Sequence, residues 1–422
     1  MIAGCSPRQA ITIVGAGPAG ATAARTLAHA GVPVRLLDRS VFPRNKPCGG
    51  GISVRLLKRF PYLPPLLHRI ATQLIGRLYL EGPDGTSTII ESDEPAALMI
   101  RRVEFDALLV ALAREAGAEI VSGVEIVHAA ETDSGVTMRS RDGRTFTAPL
   151  VIAADGVHSV VARRLGINPG WPAASVALDM MEETDRSALR AVDPSTLWVA
   201  YGYTPGGAGA EPRGAPAGYA YMFPKRDHVN IGVGYVLSHF RERVATPPYD
   251  LQRDVVSRLR DRGIVAGASI RRNFTPFLIP IGGPLRYPAR GRVLLAGDAG
   301  GFVNAFTAEG IYYAMVSGEL AGRAVLEAGA GPVSAARQYR RSVDYEIGGE
   351  LRDSVLIQRY LFADRRRITD VIEGARRARA ITGLVLDLAI GRRSYRDVRR
   401  RILARSPALT GRLLFSRVLR RM

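Results

Sequence analysis

Three glycines near the start of the chain have the spacing of a phosphate-binding turn. Gly15, Gly17 and Gly20 follow the apolar run Ile11–Val14. In this pattern the first glycine permits a tight turn, the second lets the backbone approach a pyrophosphate, and the third allows close packing of helix on strand. The helix start supplies N–H donors and the positive end of the helix dipole. The segment, which includes Ala19, therefore predicts a strand, turn and helix that bind a dinucleotide.

An acid at the end of the next apolar run supports this prediction. Gly31 closes the predicted helix, and residues 34–37 read as a second strand that ends at Asp38. Asp38 lies 23 residues after Gly15, where a carboxylate can accept a hydrogen bond from a ribose hydroxyl. Arg39 follows it and is assigned to the same site.

Two later apolar runs also end in turns that carry an acid. Residues 151–154 lead into Asp155, and residues 293–296 lead into Asp298. Two more carboxylates at strand ends suit a long, ribityl-containing cofactor better than NAD alone, so FAD is predicted. A helix is expected from about residue 310, with its N-terminus directed to where negative charge collects on reduced flavin. These turns assign to the cofactor Asp155, Gly156, Gly297, Asp298, Gly310 and Ile311.

With these motifs the chain resembles the FAD-dependent family that includes p-hydroxybenzoate hydroxylase-like monooxygenases and geranylgeranyl reductases. The resemblance covers roughly residues 10–345. It implies that the first glycine motif holds the ADP part of FAD and that Asp298 contacts the ribityl chain. It also implies that Arg102, in the segment Arg102-Val-Glu-Phe-Asp106, lies along the cofactor.

One loop favours the reductase branch of that family. Lys46-Pro-Cys48-Gly49-Gly50-Gly51 resembles the branch's Lys-x-Cys-Gly-Gly-Gly loop, which lies beside the flavin ring. The resemblance places Cys48 and Gly49 next to the cofactor and Gly50 next to the substrate. A thiol there could donate a proton. The alternative is that Cys48 is a small packing residue.

A second segment favours the same branch. Tyr219-Ala-Tyr221-Met-Phe223-Pro224-Lys225, followed by Gly232 and Gly234, is similar to the branch's Tyr-x-Trp-x-Phe-Pro motif with its trailing Gly-x-Gly. Strand alternation puts the three aromatic residues on one face, where they could form a wall for an apolar substrate. The alternative is an ordinary stripe of core residues.

The chain departs from the branch pattern at three positions. Tyr221 stands where the motif has Trp. The segment Asn304-Ala305-Phe306-Thr307-Ala308-Glu309-Gly310 stands where the branch reads Asn-Pro-x-Thr-Gly-Glu-Gly. Ala305 therefore replaces a proline and Ala308 a glycine. An added Cβ near the flavin could reshape the pocket, so these changes leave the substrate open.

The resemblance implies a reductase of isolated carbon–carbon double bonds in an isoprenoid chain. Reduced FAD would deliver hydride to one alkene carbon, and Cys48 or a nearby water would protonate the other. Tyr219 and Tyr221 could steady the developing cation with their ring faces. Lys46 and Lys225 could hold a pyrophosphate or polar headgroup, or orient neighbouring loops, and Phe223 would contact the chain. NADPH or a reduced electron carrier would supply the electrons, and the isoprenoid could belong to a quinone, lipid, chlorophyll, carotenoid or free diphosphate.

Three other functions stay open. A flavin monooxygenase or halogenase acting on an aromatic or polyketide substrate would produce uncoupled hydrogen peroxide with NADPH. A flavoprotein that reduces membrane quinones would usually need an iron–sulfur partner, and the chain has no cysteine cluster for one. A membrane-binding interaction protein that uses FAD structurally would not depend on Cys48 or Lys46.

The length of 422 residues predicts more than one domain. We expect an α/β fold in which a Rossmann-type FAD-binding domain is interleaved with an antiparallel β-sheet substrate domain, with a helical region at the C-terminus. Residues 119–128, 135–139 and 144–153 alternate in the manner of one small antiparallel unit. The predicted FAD-binding domain comprises residues 1–75, 100–170 and 285–345. The substrate domain comprises residues 76–99 and 171–284, and the Arg-rich helical region comprises residues 346–422.

Positive charge is concentrated at the end of the chain. The formal net charge is +19, and residues 365–422 contain 17 arginines and four acids. Apolar residues lie among the last arginines, at Leu413, Leu414, Phe415, Val418 and Leu419. This pattern suggests contact with an anionic membrane surface, and the alternative is a solvated helical face. Nucleic acid is not expected, because the tail lacks a known reader motif.

Cysteine and histidine usage bears on compartment and metal content. Two cysteines, Cys5 and Cys48, favour a reducing cytosol, and six scattered histidines predict no metal site. No signal peptide and no apolar run of roughly 18 residues is recognised. The protein is therefore expected in the cytoplasm, with peripheral contact at the inner face of the membrane.

Overall fold

A computed structural model describes residues 10–92, 95–203, 218–328 and 331–377. Its strands are β1 (Ile11–Val14), β2 (Val34–Asp38), β3 (Gly51–Ser53), β4 (Thr72–Ile75), β5 (Arg77–Glu81), β6 (Ser87–Glu91), β7 (Ala97–Ile100), β8 (Glu119–Ser122), β9 (Ile126–Thr132), β10 (Gly135–Ser140), β11 (Thr145–Ala148), β12 (Val151–Ala153), β13 (Val176–Asp185), β14 (Leu189–Ala191), β15 (Thr196–Tyr201), β16 (Gly218–Pro224), β17 (His228–Val236), β18 (Val265–Gly267), β19 (Phe274–Pro280), β20 (Ala289–Arg290) and β21 (Val293–Leu295). Its α-helices are α1 (Pro18–His29), α2 (Val54–Arg59), α3 (Arg102–Glu115), α4 (Val160–Arg164), α5 (Leu237–Arg243), α6 (Pro248–Asp261), α7 (Ile311–Glu327), α8 (Pro332–Val343), α9 (Gly349–Leu361) and α10 (Arg365–Arg377).

A six-stranded sheet forms the first layer, in the order β20-β21-β12-β1-β2-β8. All pairs except β20 with β21 are parallel. Its central strands are almost wholly apolar and buried, as expected of a parallel sheet covered on both faces. Helix α1 packs against α3 and α7. The Rossmann-type part of the predicted fold is confirmed, and the carboxyl ends of β1, β12 and β21 lie side by side.

One part of the predicted strand arrangement was wrong. Residues 119–128, 135–139 and 144–153 were expected to form one small antiparallel unit. Only β9, β10 and β11 form it. Strand β12, whose sequence Val-Ile-Ala is apolar throughout, lies between β1 and β21 with all three residues fully buried, because a continuous apolar run suits the centre of a parallel sheet. Strand β8 pairs in parallel with β2 and ends the large sheet.

A seven-stranded sheet forms the second layer, in the order β19-β13-β17-β16-β15-β5-β6. It is antiparallel except for the pair of β15 with β5, which confirms the expected antiparallel sheet. Helix α6 packs on one face against β17 and β13. The other face carries apolar and aromatic side chains. Strands β3, β7 and β4 form a smaller sheet that follows the glycine loop. The exact domain boundaries stay a prediction.

The described C-terminal part is helical, as expected. Helix α8 continues through a π-helical turn (Asp344–Gly348) into α9, and α10 follows. Within the described ranges no helix is long and apolar enough to cross a membrane, and no group of three or more His, Cys, Asp or Glu side chains could hold a metal ion. Residues 378–422, including the apolar edge predicted at residues 413–419, lie outside the described residues.

Candidate functional site

The glycine turn between β1 and α1 is tied to the end of β2. Asp38 is buried, and its carboxylate accepts hydrogen bonds from the backbone N–H groups of Ala16 at 2.6 Å and Ser40 at 2.8 Å. Helix α1 starts after Gly17 with no side chain capping its first N–H groups, which leaves those donors for a phosphate. Arg39, beside Asp38, is exposed.

The turns after β12 and β21 lie at the same edge of the sheet. One oxygen of Asp155 accepts from the N–H groups of Val160 and Val161 at 2.8 and 3.2 Å, and its other oxygen is buried without a protein partner. Burial raises the pKa of this carboxyl above its usual value. After β21, Asp298 lies close to the residue before α7: a Cβ built on Gly310 would be 3.8 Å from Asp298 Oδ1.

These features fit a phosphate- and ribose-bearing cofactor. The start of α1 is uncapped, an oxygen of Asp155 is unpaired, and a Cβ at Gly17 would meet only the Arg44 guanidinium, at 3.7 Å. The space over Gly17 is thus open to a ligand. The turns also contain Ala19 and Gly20 in the buried start of α1, Gly156 and Gly297 at positive φ, and Ile311 as the first residue of α7.

Arg102 lies in a buried charge cluster beside the cysteine loop. Its guanidinium donates two hydrogen bonds of 2.7 Å to the Asp106 carboxylate, which also pairs with Arg44 at 2.9 Å. Burial lowers the pKa of Arg102, but Asp106 and, more weakly, the Cys48 sulfur outweigh burial and raise the pKa above its usual value. Arg102 therefore stays charged, as a fixed positive group next to Cys48.

Lys46 shares this neighbourhood. Its ammonium lies 5.5 Å from the ring centre of Phe277. Burial and then the charge of Arg102 lower the pKa of Lys46, while Asp298 and Cys48 oppose them. The structure therefore brings together Lys46, Cys48, Arg102 and Asp298, which come from three separate stretches of the sequence.

The backbone of the cysteine loop is anchored to the second sheet. The Cys48 carbonyl accepts from Asn230 Nδ2 at 3.3 Å and from Lys225 Nζ at 3.5 Å, and the Cys48 Sγ accepts the Gly50 N–H at 3.4 Å. A Cβ on Gly49 would lie 2.6 Å from the Phe223 ring, so only glycine allows this approach. The loop thus lies directly against the aromatic strand β16.

Lys225 is 1% exposed and forms an ion pair with Glu183. Glu183 also pairs with Arg101 at 2.9 Å. A buried ammonium that is already neutralised has little charge left for a headgroup. Of the two roles expected for Lys225, the structure therefore favours orienting the loop over holding a pyrophosphate.

Tyr219, Tyr221 and Phe223 share one face of β16, as the alternation predicts. Their successive ring centres are 6.2 and 4.6 Å apart. The row is extended by Tyr201, 5.6 Å from Tyr219, and then by two further rings. We call the set the aromatic wall; it consists of Tyr201, Tyr219, Tyr221, Phe223, Phe306 and Phe362.

Three members of the aromatic wall escaped the sequence analysis. Tyr201 lies at the end of β15, Phe306 in the loop before α7, and Phe362 after α9. Phe306 stacks on Tyr201 at 5.7 Å, and Phe362 lies 6.1 Å from Phe306. Each belongs to a different element, so no local period could have joined them. The one available signal was Phe306 inside the motif that precedes α7.

The loop before α7 is held by the C-terminal helices. The Ala305 N–H donates to Ser354 Oγ of α9 at 2.9 Å. Arg55 pairs with Glu309 at 3.1 Å and with Glu350 of α9 at 2.8 Å. These contacts fix the loop residues that lie between Asp298 and α7.

A model of the FAD-binding domain family matches residues 8–317 of the chain. Digeranylgeranylglycerophospholipid reductase 2 of Methanothermobacter thermautotrophicus is 30% identical over 75% of this chain and 78% of its own length. Digeranylgeranylglycerophospholipid reductase 1 of Methanopyrus kandleri is 32% identical over 75% of this chain and 80% of its own length. The chain belongs to the geranylgeranyl reductase family of FAD-dependent oxidoreductases.

The solved structures agree with this membership at the level of the fold. A geranylgeranyl bacteriochlorophyll reductase-like protein of Thermoplasma acidophilum superposes with a TM-score of 0.72 at 20% identity, covering 86% of this chain and 90% of that protein. At that identity the likeness concerns the fold alone. As a member of the geranylgeranyl reductase family, the protein is an FAD-dependent oxidoreductase.

Two departures from the reductase family motif have structural consequences. Proline has no N–H, so the bond from Ala305 to Ser354 is available only because alanine replaces proline here. Ala308, which replaces glycine, has φ of 55°. It is the one non-glycine residue with positive φ among the described residues, in a region that costs an L-residue roughly 1–2 kcal/mol.

We expect Ala308→Gly to stabilise this family member slightly. Glycine relieves the left-handed strain, but it also makes the unfolded chain more flexible, which lowers the free energy of unfolding by about 0.4–1 kcal/mol. The net increase in the free energy of unfolding should therefore be about 1 kcal/mol or less. Thermal unfolding of the FAD-loaded protein measures it. Ala305→Gly, at a residue without positive φ, serves as the control and should lower the melting temperature. An equal loss in both variants would contradict the strain at Ala308.

Proposed function

We propose that the protein reduces isolated carbon–carbon double bonds in an isoprenoid chain. The observation that carries this proposal is the aromatic wall, which begins beside the cysteine loop and continues to the end of α9. Both relatives compared above are named as reductases of geranylgeranyl-bearing lipids. An apolar chain with several double bonds fits a row of ring faces, because these offer apolar contact and attract positive charge.

Bound FAD, once reduced, supplies the hydride for one alkene carbon. The protein's own part is to hold the chain, exclude water and provide a proton for the other carbon. An isolated alkene is a poor hydride acceptor, so protonation leads or accompanies hydride transfer and positive charge develops on carbon. Tyr219 and Tyr221 stabilise that charge through their ring faces. Cys48, or a water held next to it, delivers the proton.

The charged residues around Cys48 have supporting roles. Arg102 and Lys46 place two positive groups near the position that the family motif gives to the flavin ring, which favours the anionic reduced cofactor. Lys225 and Asn230 hold the loop carbonyl, so that the thiol keeps its place against the aromatic wall. The electrons come from NADPH or from a reduced carrier protein.

Mass spectrometry of lipid extracts from cells with and without the gene tests the function. Cells that express the protein should contain isoprenoid species with two more hydrogen atoms for each reduced bond. Purified FAD-loaded protein should produce the same change in geranylgeranyl diphosphate when a chemical reductant is added. Unchanged isoprenoids together with rapid NADPH-driven hydrogen peroxide would instead support the monooxygenase or halogenase function.

We expect the protein to dock on anionic bilayers through the Arg-rich segment that begins at Arg365. In α10, Ile368, Ile372 and Ala375 are buried against the chain, whereas Arg366 and Arg376 are exposed. Each basic residue near an anionic surface contributes on the order of 1 kcal/mol, and salt screens this attraction. Liposome sedimentation with neutral and anionic vesicles at low and high salt measures it. Equal binding to both vesicles, or to neither, would contradict electrostatic docking.

A further inference from the structure

A buried acid lies behind the aromatic wall. Asp179, on β13, is 6% exposed in a strand whose neighbours on the same sheet are mainly apolar. Its Oδ2 accepts a hydrogen bond from the Tyr221 hydroxyl at 3.0 Å. Its Oδ1 is buried without a partner among the described residues. An isolated carboxylate in such a place is costly, whereas a protonated carboxyl is not.

The trailing Gly-x-Gly of the aromatic motif makes this contact possible. Strand β17 lies between β16 and β13, with Gly232 paired to Tyr221 and Gly234 paired to Asp179. A Cβ on Gly232 would lie 2.5 Å from the Tyr221 hydroxyl oxygen. The Tyr221 ring therefore crosses β17 over Gly232 and reaches Asp179 on the next strand. A side chain at residue 232 would block the approach.

The departure from tryptophan at residue 221 changes the chemistry of that approach. An indole N–H can only donate a hydrogen bond, whereas a phenol can donate one proton and accept another at the same oxygen. Tyr221 also lies beside the loop, because its ring centre is 4.6 Å from that of Phe223, the ring against which Gly49 packs. Asn230, two residues before Gly232 on the same face of β17, donates to the Cys48 carbonyl at 3.3 Å. Tyr221 thus connects Asp179 with the neighbourhood of Cys48.

The groups around Asp179 leave its carboxyl without a compensating cation. Burial is the main cause that raises its pKa to about 7, and the hydrogen bond from Tyr221 opposes it. The other titratable groups near Tyr221 are Tyr219, on the same strand, and Cys48, in the cysteine loop. On the other side, β19 places Phe277 opposite Asp179, and Lys46 lies over that ring at 5.5 Å. On β17 the paired residue is glycine.

We propose that Asp179 is the proton reservoir of the site and that Tyr221 passes its proton toward Cys48. This proposal rests on the proposed alkene reduction. In each turnover the alkene π bond breaks and two C–H bonds form, one from hydride of reduced FAD and one from the proton of the Cys48 thiol or its neighbouring water. For this step the bond between Tyr221 and Asp179 reverses: the Tyr221 O–H turns to the Cys48 side and replaces that proton, while the protonated Asp179 carboxyl donates its own proton to the Tyr221 oxygen. FAD is left oxidised, and the Asp179 carboxylate regains a proton from water.

The test compares the FAD-loaded full-length protein with Asp179→Asn, Tyr221→Phe and Tyr221→Trp. Asp254→Asn is the matched control. Asp254 lies on α6, on the opposite face of the sheet, and it also accepts a hydrogen bond from a tyrosine hydroxyl, that of Tyr203, at 2.7 Å. The kcat for geranylgeranyl diphosphate, with dithionite as reductant, is measured against pH. FAD content, read from absorbance, confirms that each variant is loaded.

In the unaltered protein, kcat should fall as pH rises through about 7, because Asp179 then holds no proton. The three site variants should be slower by about tenfold at low pH and lose this fall. That is less than the 10²- to 10⁴-fold effect of a direct donor, since water can slowly replace the relayed proton. Tyr221→Trp, which keeps a donor but cannot relay, should match Tyr221→Phe. Asp254→Asn should behave like the unaltered protein.

Thermal unfolding gives a second readout that needs no turnover. Asp179 has a raised pKa in the folded protein, so its contribution to stability is complete below the pKa of the unfolded carboxyl and is lost as pH rises through about 7. Between pH 5 and pH 8 the melting temperature of the unaltered protein should therefore fall further than that of Asp179→Asn, by roughly several degrees. Asp254→Asn should follow the unaltered protein.

The outcomes separate the two proposals. If the unaltered protein reduces geranylgeranyl diphosphate and Asp179→Asn keeps both its rate and its pH profile, the reservoir is overturned and the function stands. An identical pH dependence of melting temperature in the unaltered protein and Asp179→Asn overturns the reservoir as well. If no alkene is reduced at any pH, the proposed function fails and the relay falls with it, whatever the melting temperatures show.

Discussion

Gly17→Val should fold normally and purify without FAD. Gly17 has φ of −71° and ψ of −174°, which any residue adopts, and a Cβ there would meet only Arg44, at 3.7 Å. Valine can thus be accommodated by the chain. It would, however, occupy the space over the start of α1, where the backbone must approach a pyrophosphate. Absorbance in the flavin band measures retained FAD, and circular dichroism confirms the fold.

Two further variants make this result specific. Gly15→Val should disturb the fold itself, because Gly15 has φ of 96° and its Cβ would lie 2.3 Å from the Ala154 carbonyl oxygen. Gly76→Val, at a residue with no atom within 4 Å of the added Cβ, should be folded and yellow. Stoichiometric FAD in Gly17→Val would show that the pyrophosphate does not lie over this turn.

Cys48→Ala should lose most alkene reduction and keep its FAD. The Cys48 backbone is held by Asn230 and Lys225, so the loop keeps its place when the thiol is removed. The glycine turn, where we expect the adenine end of the cofactor, is not altered. Loss of a direct proton donor should lower kcat by roughly 10²-fold or more. The measurement is reduction of geranylgeranyl diphosphate per bound flavin.

Cys48→Ser separates proton donation from shape. A hydroxyl can still accept the Gly50 N–H but is a much weaker acid than a thiol. Serine should therefore restore the packing of the loop and little of the rate. Asn230→Ala, which removes one of the two contacts to the Cys48 carbonyl, should have a smaller effect than either. Undiminished turnover in Cys48→Ala would make the thiol a packing residue.

The parts of the fold that follow local patterns could be predicted from the sequence. The glycine turn, the acids at strand ends and the aromatic alternation of β16 each depend on residues close together in the chain. Each was found within a few residues of its observed place. The antiparallel unit after α3 was misassigned because short apolar segments do not reveal which sheet they join. Strand β12 pairs with β1, more than a hundred residues earlier.

The site residues that escaped prediction depend on contacts between distant segments. Asp179 is informative only because Tyr221 reaches it across Gly232, and Lys225 takes its meaning from Glu183. The residues next to Asp179 and to Lys225 in the sequence do not indicate which distant side chain each will contact. Phe362 reaches the aromatic wall only through the packing of the C-terminal helices. These helices lie beyond the last glycine motif, so no motif in the sequence pointed to Phe362. An acid among the otherwise apolar residues 176–181 was the one cue available for Asp179.

The attachment of α9 to the loop before α7 has a consequence for synthesis of the chain. Ser354 and Glu350 hold Ala305 and, through Arg55, Glu309, so this loop gains its full set of contacts only when α9 has left the ribosome. The six-stranded sheet is also completed late in synthesis, since β21 must be translated before it can pair with β12. The glycine turn is among the first segments translated, yet the loop where we expect the isoalloxazine end of FAD is completed among the last. We therefore expect FAD to bind in the final stage of folding and nascent chains that end before residue 350 to stay colourless.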